Sequence, residues 1–330
     1  MGKTDGGCVG GKRHAPAETS QTDRQDTGVS DGAPDAAAPR NVLYCGDNLA
    51  VLRRYVADES VDLAYLDPPF FSNRRHEVVY GDEAKSRSFD DRWEGGIQVY
   101  VNWMEERMRE IHRVLKPTGS VYLHCDWHAS HYLKVMMDGV FGTDNFLNDV
   151  VWCYGLGGSS ARYWPRKHDN ILWYSREHDA HFFQADMVPA TSQRMKGTMK
   201  KAPDYWDIPT INNMAKERLG YPTQKPLALL KRIIRSSCPE AGVVLDPFCG
   251  SGTAIDAARH LGRRWIGIDT AYAAIDLAAN RILRHHGTTS LSTFSVNVVP
   301  ADIDSAGALP EYTEFGLLSQ DVHEVLGDLV

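Results

Sequence analysis

Two stretches of this chain end an apolar run on a carboxylate and follow it at once with residues that shape a turn. In residues 60–81, SVDLAYLDPPFFSNRRHEVVYG, the run stops at Asp67-Pro68-Pro69-Phe70. Two prolines fix φ and remove two N–H donors, so this loop is stiff and its carbonyls lack local partners. Asp67 adds a carboxylate beside the Pro68 carbonyl, and Phe70 adds a ring. Two acceptors and a stacking face suit the exocyclic amino group of a planar base, which carries two N–H donors. Such acceptors raise electron density on a weakly nucleophilic nitrogen and aim its lone pair at an electrophile. Read for structure alone, the same residues end a strand and begin a bend, with Phe70 in the core.

The second stretch is residues 243–269, VVLDPFCGSGTAIDAARHLGRRWIGID. Gly250 and Gly252 let the backbone turn tightly and approach a ligand with no Cβ in the way. Asp269 closes the next apolar run, where a carboxylate can accept from ribose hydroxyls. A dinucleotide fingerprint needs a third glycine where Ile255 stands, and a phosphate loop of the Walker type needs a lysine that is absent between 246 and 258. The expected ligand is therefore a nucleoside without a pyrophosphate. S-adenosyl-L-methionine fits that description, because its amino-acid end needs a carboxylate such as Asp246 and nearby backbone N–H groups. The purely structural alternative is a turn that tolerates two glycines.

These loops need elements to carry them. Apolar runs at 42–45, 63–66, 121–125, 150–154, 171–174, 243–245 and 265–268 are mostly continuous, as strands buried on both faces should be. Helical patterns at 48–55, 99–115, 131–139, 227–237, 253–261 and 271–285 separate several of them, which predicts an α/β layered sheet. The runs at 150–154 and 171–174 have no clear helix between them and suit an antiparallel hairpin near one edge. Residues 175–220 fit neither period.

Length and charge bound the rest. The 330 residues suit one large domain or two ordinary ones, and no window of 18 uninterrupted apolar residues predicts a membrane span. The first residues show neither a secretory signal nor a myristoylation pattern. The six cysteines form no CxxC pair, which suits reduced thiols and a cytoplasmic protein. The net charge of −7 is unevenly spread. Residues 300–330 hold seven acids and no Lys or Arg, whereas residues 151–235 hold fourteen Lys/Arg against seven acids. That basic segment is compatible with a polyanion, with phosphate contacts expected from Arg162, Arg166, Lys167, Lys196, Lys200 and Lys201. Residues 1–39 read as a disordered tail, 40–299 as the folded domain and 300–330 as an acidic tail. His124, Cys125, Asp126, His128 and His131 crowd one stretch, but alternation along a strand sends neighbouring side chains to opposite faces, so no metal is expected.

DPPF at 67–70, Pro-Thr-Gln-Lys-Pro at 222–226 and DPFCGSGT at 246–253, in that order, resemble the β-class amino-group DNA methyltransferases. The likeness is greatest to the adenine-specific enzymes that include the modification subunits of type III restriction systems, and it covers about residues 41–286. It implies a doubly wound, mostly parallel seven-stranded α/β sheet of the S-adenosylmethionine-dependent methyltransferase type, circularly permuted so that the catalytic loop precedes the cofactor loop. It implies duplex DNA as substrate, with the target base flipped out and residues 155–220 reading sequence. Asp67, Pro68, Pro69 and Phe70 then form the catalytic loop. Asp246, Phe248, Gly250, Gly252 and Thr253 line the cofactor pocket, Asp269 meets the ribose, and Thr223 and Lys225 lie near the methionine carboxylate. Asp47 is placed to bond the cofactor's adenine amino group, although it equally suits the N-cap of the helix at 48–55. Cys249 reads as a packed residue, since methyl transfer to an amine needs no covalent intermediate. The resemblance leaves a homodimer and a restriction endonuclease partner open. Transfer to cytosine N4 is the alternative chemistry, and a catalytically idle DNA-binding module is the alternative class. Family members acting on cytosine more often carry Ser in place of Asp67, which favours adenine N6.

Overall fold

In the computed structural model, the strand order explains how two loops about 180 residues apart in sequence become neighbours. The structure describes residues 41–72, 75–80, 85–155, 159–212, 214–221, 223–284, 294–299 and 312–315, all within a unit running from Ala37 to Val330. The expected tails at 1–39 and 300–330 lie outside these residues, one short strand excepted. The strands are β1 (Val42–Cys45), β2 (Val61–Leu66), β3 (Arg75–Tyr80), β4 (Lys85–Asp90), β5 (Leu115–Cys125), β6 (Phe146–Cys153), β7 (His168–Ser175), β8 (Met187–Pro189), β9 (Met199–Lys201), β10 (Tyr205–Asp207), β11 (Val243–Asp246), β12 (Arg264–Asp269), β13 (Phe294–Val298) and β14 (Tyr312–Phe315). The helices are α1 (Asn48–Tyr55), α2 (Ile97–Val114), α3 (Ser130–Phe141), α4 (Leu227–Ser237), α5 (Thr253–His260) and α6 (Tyr272–Arg284).

One sheet runs β10-β6-β7-β5-β2-β11-β12-β1-β13-β14. Its centre, from β5 through β2, β11, β12 and β1 to β13, is parallel. Strand β7 is antiparallel to both β5 and β6, as the missing helix between them predicts. All seven expected strands are in this sheet. Three more extend it, and none is a continuous apolar run of the kind sought: β10 is three residues long, β13 alternates apolar and polar residues, and β14 lies in the acidic segment. Strand β10 rather than β6 therefore forms one edge, while β3–β4 and β8–β9 make two small separate hairpins.

The strands are apolar without alternation because both faces are covered. Leu43, Leu63, Tyr65 and Val244 pack with residues of α4, α5 and α6, whereas Val42, Ala64, Leu66 and Leu245 pack with residues of α1, α2 and α3. Connections leaving β11 thus cross one face, and those leaving β2 cross the other. Between these two strands lies a topological switch point, and the crevice beyond their carboxyl ends is where a ligand binds in such sheets.

Gly252 belongs to the scaffold. It is the N-cap of α5 at φ +75°, and an added Cβ would stand 2.8 Å from Ala278 Cβ on α6. The absent side chain makes room for α6, a packing role that stands beside the one expected at the cofactor. Gly252→Ala should therefore lower the unfolding free energy by about 1–3 kcal/mol through overpacking and a disfavoured φ. Urea denaturation checks this, and an unchanged midpoint would show that α5 and α6 part easily.

Candidate active site

Strands β2, β11 and β12 end side by side, and each delivers a carboxylate to one cavity of about 630 Å³. That volume is in the usual range for small-molecule sites. Asp67 follows β2 directly, Asp246 ends β11 and Asp269 ends β12. The cavity is lined by Asp67, Pro68, Pro69, Phe70, Thr223, Lys225, Asp246, Phe248, Gly250, Thr253 and Asp269. Every expected site residue except Asp47 and Gly252 is thus among its walls.

Lys225 Nζ donates to Asp67 Oδ2, joining the second motif to the first across 158 positions. Asp67 Oδ1 is buried and has no hydrogen-bond partner among the described residues. Behind the loop, His124 is fully buried and its Nδ1 lies 3.9 Å from that oxygen. Burial, with Asp67, Asp246 and Asp169 nearby, pushes the Tyr65 phenol well above its ordinary range, so it stays protonated and donates to His124 Nδ1 at 2.8 Å. The Nε2 atom then carries the proton and donates to Asp169 Oδ2 at 3.1 Å, while Tyr154 Oη donates to Asp169 Oδ1 at 2.9 Å. Burial raises Asp169, but the hydrogen bonds from His124 and Tyr154, with the charge of Lys225, outweigh it and leave the carboxyl below its usual value. The Phe70 ring rests on this support, its centroid 5.5 Å from that of His124 and 5.1 Å from Lys225 Nζ.

On the other side, Asp246 is buried and accepts from Phe248 N at 3.1 Å. Burial raises its pKa well above the carboxylate range, and the charges of Asp67 and Asp269 add to the rise. Asp269 also rises through burial, although its oxygens accept from Gly250 N at 2.9 Å and Ala271 N at 2.8 Å. Those bonds tie the end of β12 to the glycine loop. Gly250 sits at φ +48°, and a Cβ there would come within 3.2 Å of the Tyr221 ring. Thr253 Oγ1 accepts from Arg281 Nη1 at 2.8 Å. Three partly desolvated carboxylates facing one lysine favour a cationic ligand, and S-adenosylmethionine, with a sulfonium and an ammonium against one carboxylate, is such a ligand.

Asp47 stands outside this cavity. Its Oδ1 accepts from Ala50 N at 3.1 Å as the N-cap of α1, and its Oδ2 pairs with Arg107 Nη2 at 2.8 Å. Arg107 also donates to Asn48 Oδ1, and Asn48 Nδ2 donates to the Pro247 carbonyl. Asp47 and Asn48, joined by Arg107, thus brace the glycine loop through Pro247, and Asp47 caps α1 as its alternative reading expects. Sequence reasoning missed Tyr221, the buried Tyr65–His124–Asp169–Tyr154 chain and Asp91, which lines the cavity. Tyr221 directly precedes the Pro-Thr-Gln-Lys-Pro run, and its position was the available signal. His128 Nδ1 bonds Asp126, and among the described residues no three metal-ligating side chains converge.

At the cavity mouth the Arg166 guanidinium stacks 3.7 Å from the Trp127 ring centroid and 4.8 Å from that of Tyr163. Trp164 is 92% exposed, so it has no packing role in the isolated chain. Lys200 and Lys201 lie on β9, at the surface of the basic segment.

A family model described as DNA methylase matches residues 61–280. The chain is 30% identical over 244 residues to the type II methyltransferase M.HpaI of Haemophilus parainfluenzae, covering 73% of each chain. It is 29% identical over 265 residues to the DNA adenine methyltransferase YhdJ of Escherichia coli (strain K12), covering 75% of this chain and 85% of that protein. Similar folds include a PvuII DNA methyltransferase, cytosine-N4-specific (TM-score 0.56, 18% identity, 76% and 89% covered), and a DNA modification methylase of Thermus thermophilus complexed with S-adenosyl-L-methionine (TM-score 0.52, 20% identity, 79% and 100% covered).

Cys249, inside the glycine loop, is 5% exposed, and burial pushes its thiol well above the ordinary range. Alkylation of the native protein should reach the half-buried Cys153 and leave Cys45, Cys125, Cys238 and Cys249 unmodified until denaturant is added. Peptide mass spectrometry reads the outcome, and rapid native labelling of Cys249 would contradict a packed, inert thiol.

Proposed function

The chain belongs to the DNA methylase family, and from that premise we propose that it methylates the N6 amino group of adenine in duplex DNA. DNA methyl transfer from S-adenosylmethionine is the activity of the family; the choice of base and the roles of residues are the proposal. The observation that carries it is Asp67, whose Oδ2 is held by Lys225 while its buried Oδ1 has no partner among the described residues. A buried acceptor without a donor is costly, and an amino group with two N–H bonds relieves it. A carboxylate at this position, and the adenine activity named for the Escherichia coli relative, support adenine over cytosine.

When bound, S-adenosylmethionine supplies an electrophilic methyl group. Asp67 Oδ1 and the Pro68 carbonyl accept the two amino hydrogens, and Phe70 stacks on the extruded base. The acceptors turn the nitrogen lone pair toward the methyl carbon. As the new nitrogen–carbon bond forms and the carbon–sulfur bond breaks, the amino nitrogen sheds one proton to Asp67 or to solvent. Asp246, Phe248, Gly250, Thr253, Asp269, Thr223 and Lys225 hold the cofactor. Lys225 serves both halves, since the amine that keeps Asp67 in place also faces the cofactor side. Arg166, Trp127 and the basic residues of 155–220 meet the DNA, and a flipped base leaves the stack at a cost of a few kcal/mol. Among the described residues no helix is long and apolar enough to cross a membrane, and cytoplasmic residence is part of the same proposal.

DNA from cells expressing the chain, sequenced with detection of modified bases, should carry N6-methyladenine at one sequence; N4-methylcytosine would overturn the choice of base. Asp67→Ala should lose on the order of 100-fold or more in turnover while still binding S-adenosylmethionine. Near-normal turnover would remove Asp67 from the chemistry.

The second test uses pH. Asp246 has a raised pKa in the folded chain, so it keeps its proton to higher pH than in the unfolded chain. Its buried charge destabilises the unliganded fold as pH rises through that window, whereas a cation binds only once the charge is present. Affinity for S-adenosylmethionine should rise as pH climbs above the ordinary carboxylate range. Asp246→Asn should bind weakly with a smaller pH step by calorimetry, what remains coming from Asp269, and a step of unchanged size would move the titration elsewhere.

A further inference from the structure

We propose that Asp91 is a positioning residue that holds the catalytic loop in its reactive shape; the inference rests on reading Asp67 as the acceptor for the target amino group. Asp91 is 1% exposed, and its carboxylate collects four donors, three of them from the loop. Phe71 N donates to Oδ1 at 3.0 Å; Ser72 N and Ser72 Oγ donate to Oδ2 at 2.7 and 2.6 Å. Trp93 Nε1 completes the set on Oδ1 at 3.1 Å. These are charge-assisted bonds, stronger than neutral ones.

The loop needs such a hold. Phe71 sits at φ +60°, a left-handed conformation that a bulky residue rarely adopts unless its surroundings impose it. That turn reverses the chain directly after Phe70 and so fixes which way the Phe70 ring faces. The conformation exposes the N–H groups of Phe71 and Ser72 side by side, as in an anion-binding nest, and Asp91 is the anion. Upstream, Tyr100 Oη donates to the Pro69 carbonyl at 2.7 Å, and the Trp93 ring packs edge-on against Tyr100 with centroids 5.0 Å apart. The loop is thus gripped on both sides of Phe70 from residues 91–100. Lys225 fixes only the carboxylate end, at Asp67. Without Asp91 the strained turn loses the hydrogen bonds that hold its two N–H groups, leaving the packing of Phe71 on Tyr100 and the bond to Pro69 to oppose its relaxation, and Phe70 and the Pro68 carbonyl lose their common orientation.

Asp91 also closes the base of the β3–β4 hairpin, which leaves the loop after Ser72 and returns at Asp91. It touches no donor of the cofactor loop, so its loss should act on turnover and leave cofactor affinity alone.

Asp91→Asn preserves shape but sets an NH₂ group against backbone N–H donors. We expect kcat to fall about 10- to 100-fold, since small misplacements of reacting groups have effects of that order. The KM for S-adenosylmethionine should stay within about twofold, and the thermal midpoint should hold. Adding Phe71→Gly, which takes φ +60° without strain, should recover several-fold of the lost kcat in the Asp91→Asn background. Asp67→Ala is the reference variant. If it is inactive and Asp91→Asn turns over normally, the positioning role is wrong and the reading of Asp67 stands. If Asp67→Ala itself turns over normally, that reading fails first. A loss of folding or cofactor binding in Asp91→Asn, or no recovery on adding Phe71→Gly, would overturn the inference in favour of a general structural role.

Discussion

Three carboxylates ending three neighbouring parallel strands must share one partly desolvated cavity, and most other features of the site answer that constraint. Like charges brought together out of water raise one another's pKa and repel. Lys225 is the resident answer, placed on Asp67 and partly offsetting the rise that burial imposes on Asp246. The backbone N–H groups of Phe248, Gly250 and Ala271 supply partial positive charge to the other two carboxylates. What these leave uncompensated is the attraction for a cationic ligand. An apolar replacement of Asp246 or Asp269 would remove the reason to bind and also strand the backbone N–H groups that these carboxylates accept from.

Behind the cavity, polar side chains buried in the layers hold the loops in register. Arg107 reaches across from α2 to Asp47 and Asn48, and Asn48 reaches on to Pro247. His124 joins β2 to β7 through Tyr65 and Asp169. Each network is satisfied at nearly every atom, the condition under which buried polar groups add rigidity. The catalytic loop is stiffened twice, by its prolines and by bonds from outside it, and the glycine loop is flanked by Tyr221 and by Trp103 packed on Phe248.

The parts of this architecture legible in the sequence were those with a period or a fixed order. Continuous apolar runs marked the seven inner strands because burial on both faces leaves no alternation, and six helices appeared within a few residues of their observed bounds. Three motifs in order gave the cavity walls, since residues following a parallel strand's carboxyl end have one crevice to face. What escaped has a common cause. Asp91, His124 and Tyr221 act through partners distant in sequence or through backbone groups, and no local spacing encodes such a pairing. Asp47 and Gly252 are ambiguous in the opposite sense: a capping aspartate and a glycine at a helix start look alike whether they face a ligand or a neighbouring helix. Only the positions of α2 and α6 distinguish the two cases.

The strand order also dictates a timetable. Strand β1 has β12 and β13 as its sheet neighbours, and β2 waits for β11 on one side. On a ribosome adding about 5–20 residues per second, the roughly 220 residues between β1 and β12 keep Val42–Cys45 without its partners for roughly 10 to 40 s. The half containing β2, β5, β6, β7 and β10 can pair as it emerges, because its neighbours follow one another in the chain. During that interval the nascent protein carries two open strand edges, at β1 and β2, where another chain can add. The permutation that brings the two loops together thus makes the cofactor half of the sheet the last to close and the most exposed to misassembly during synthesis.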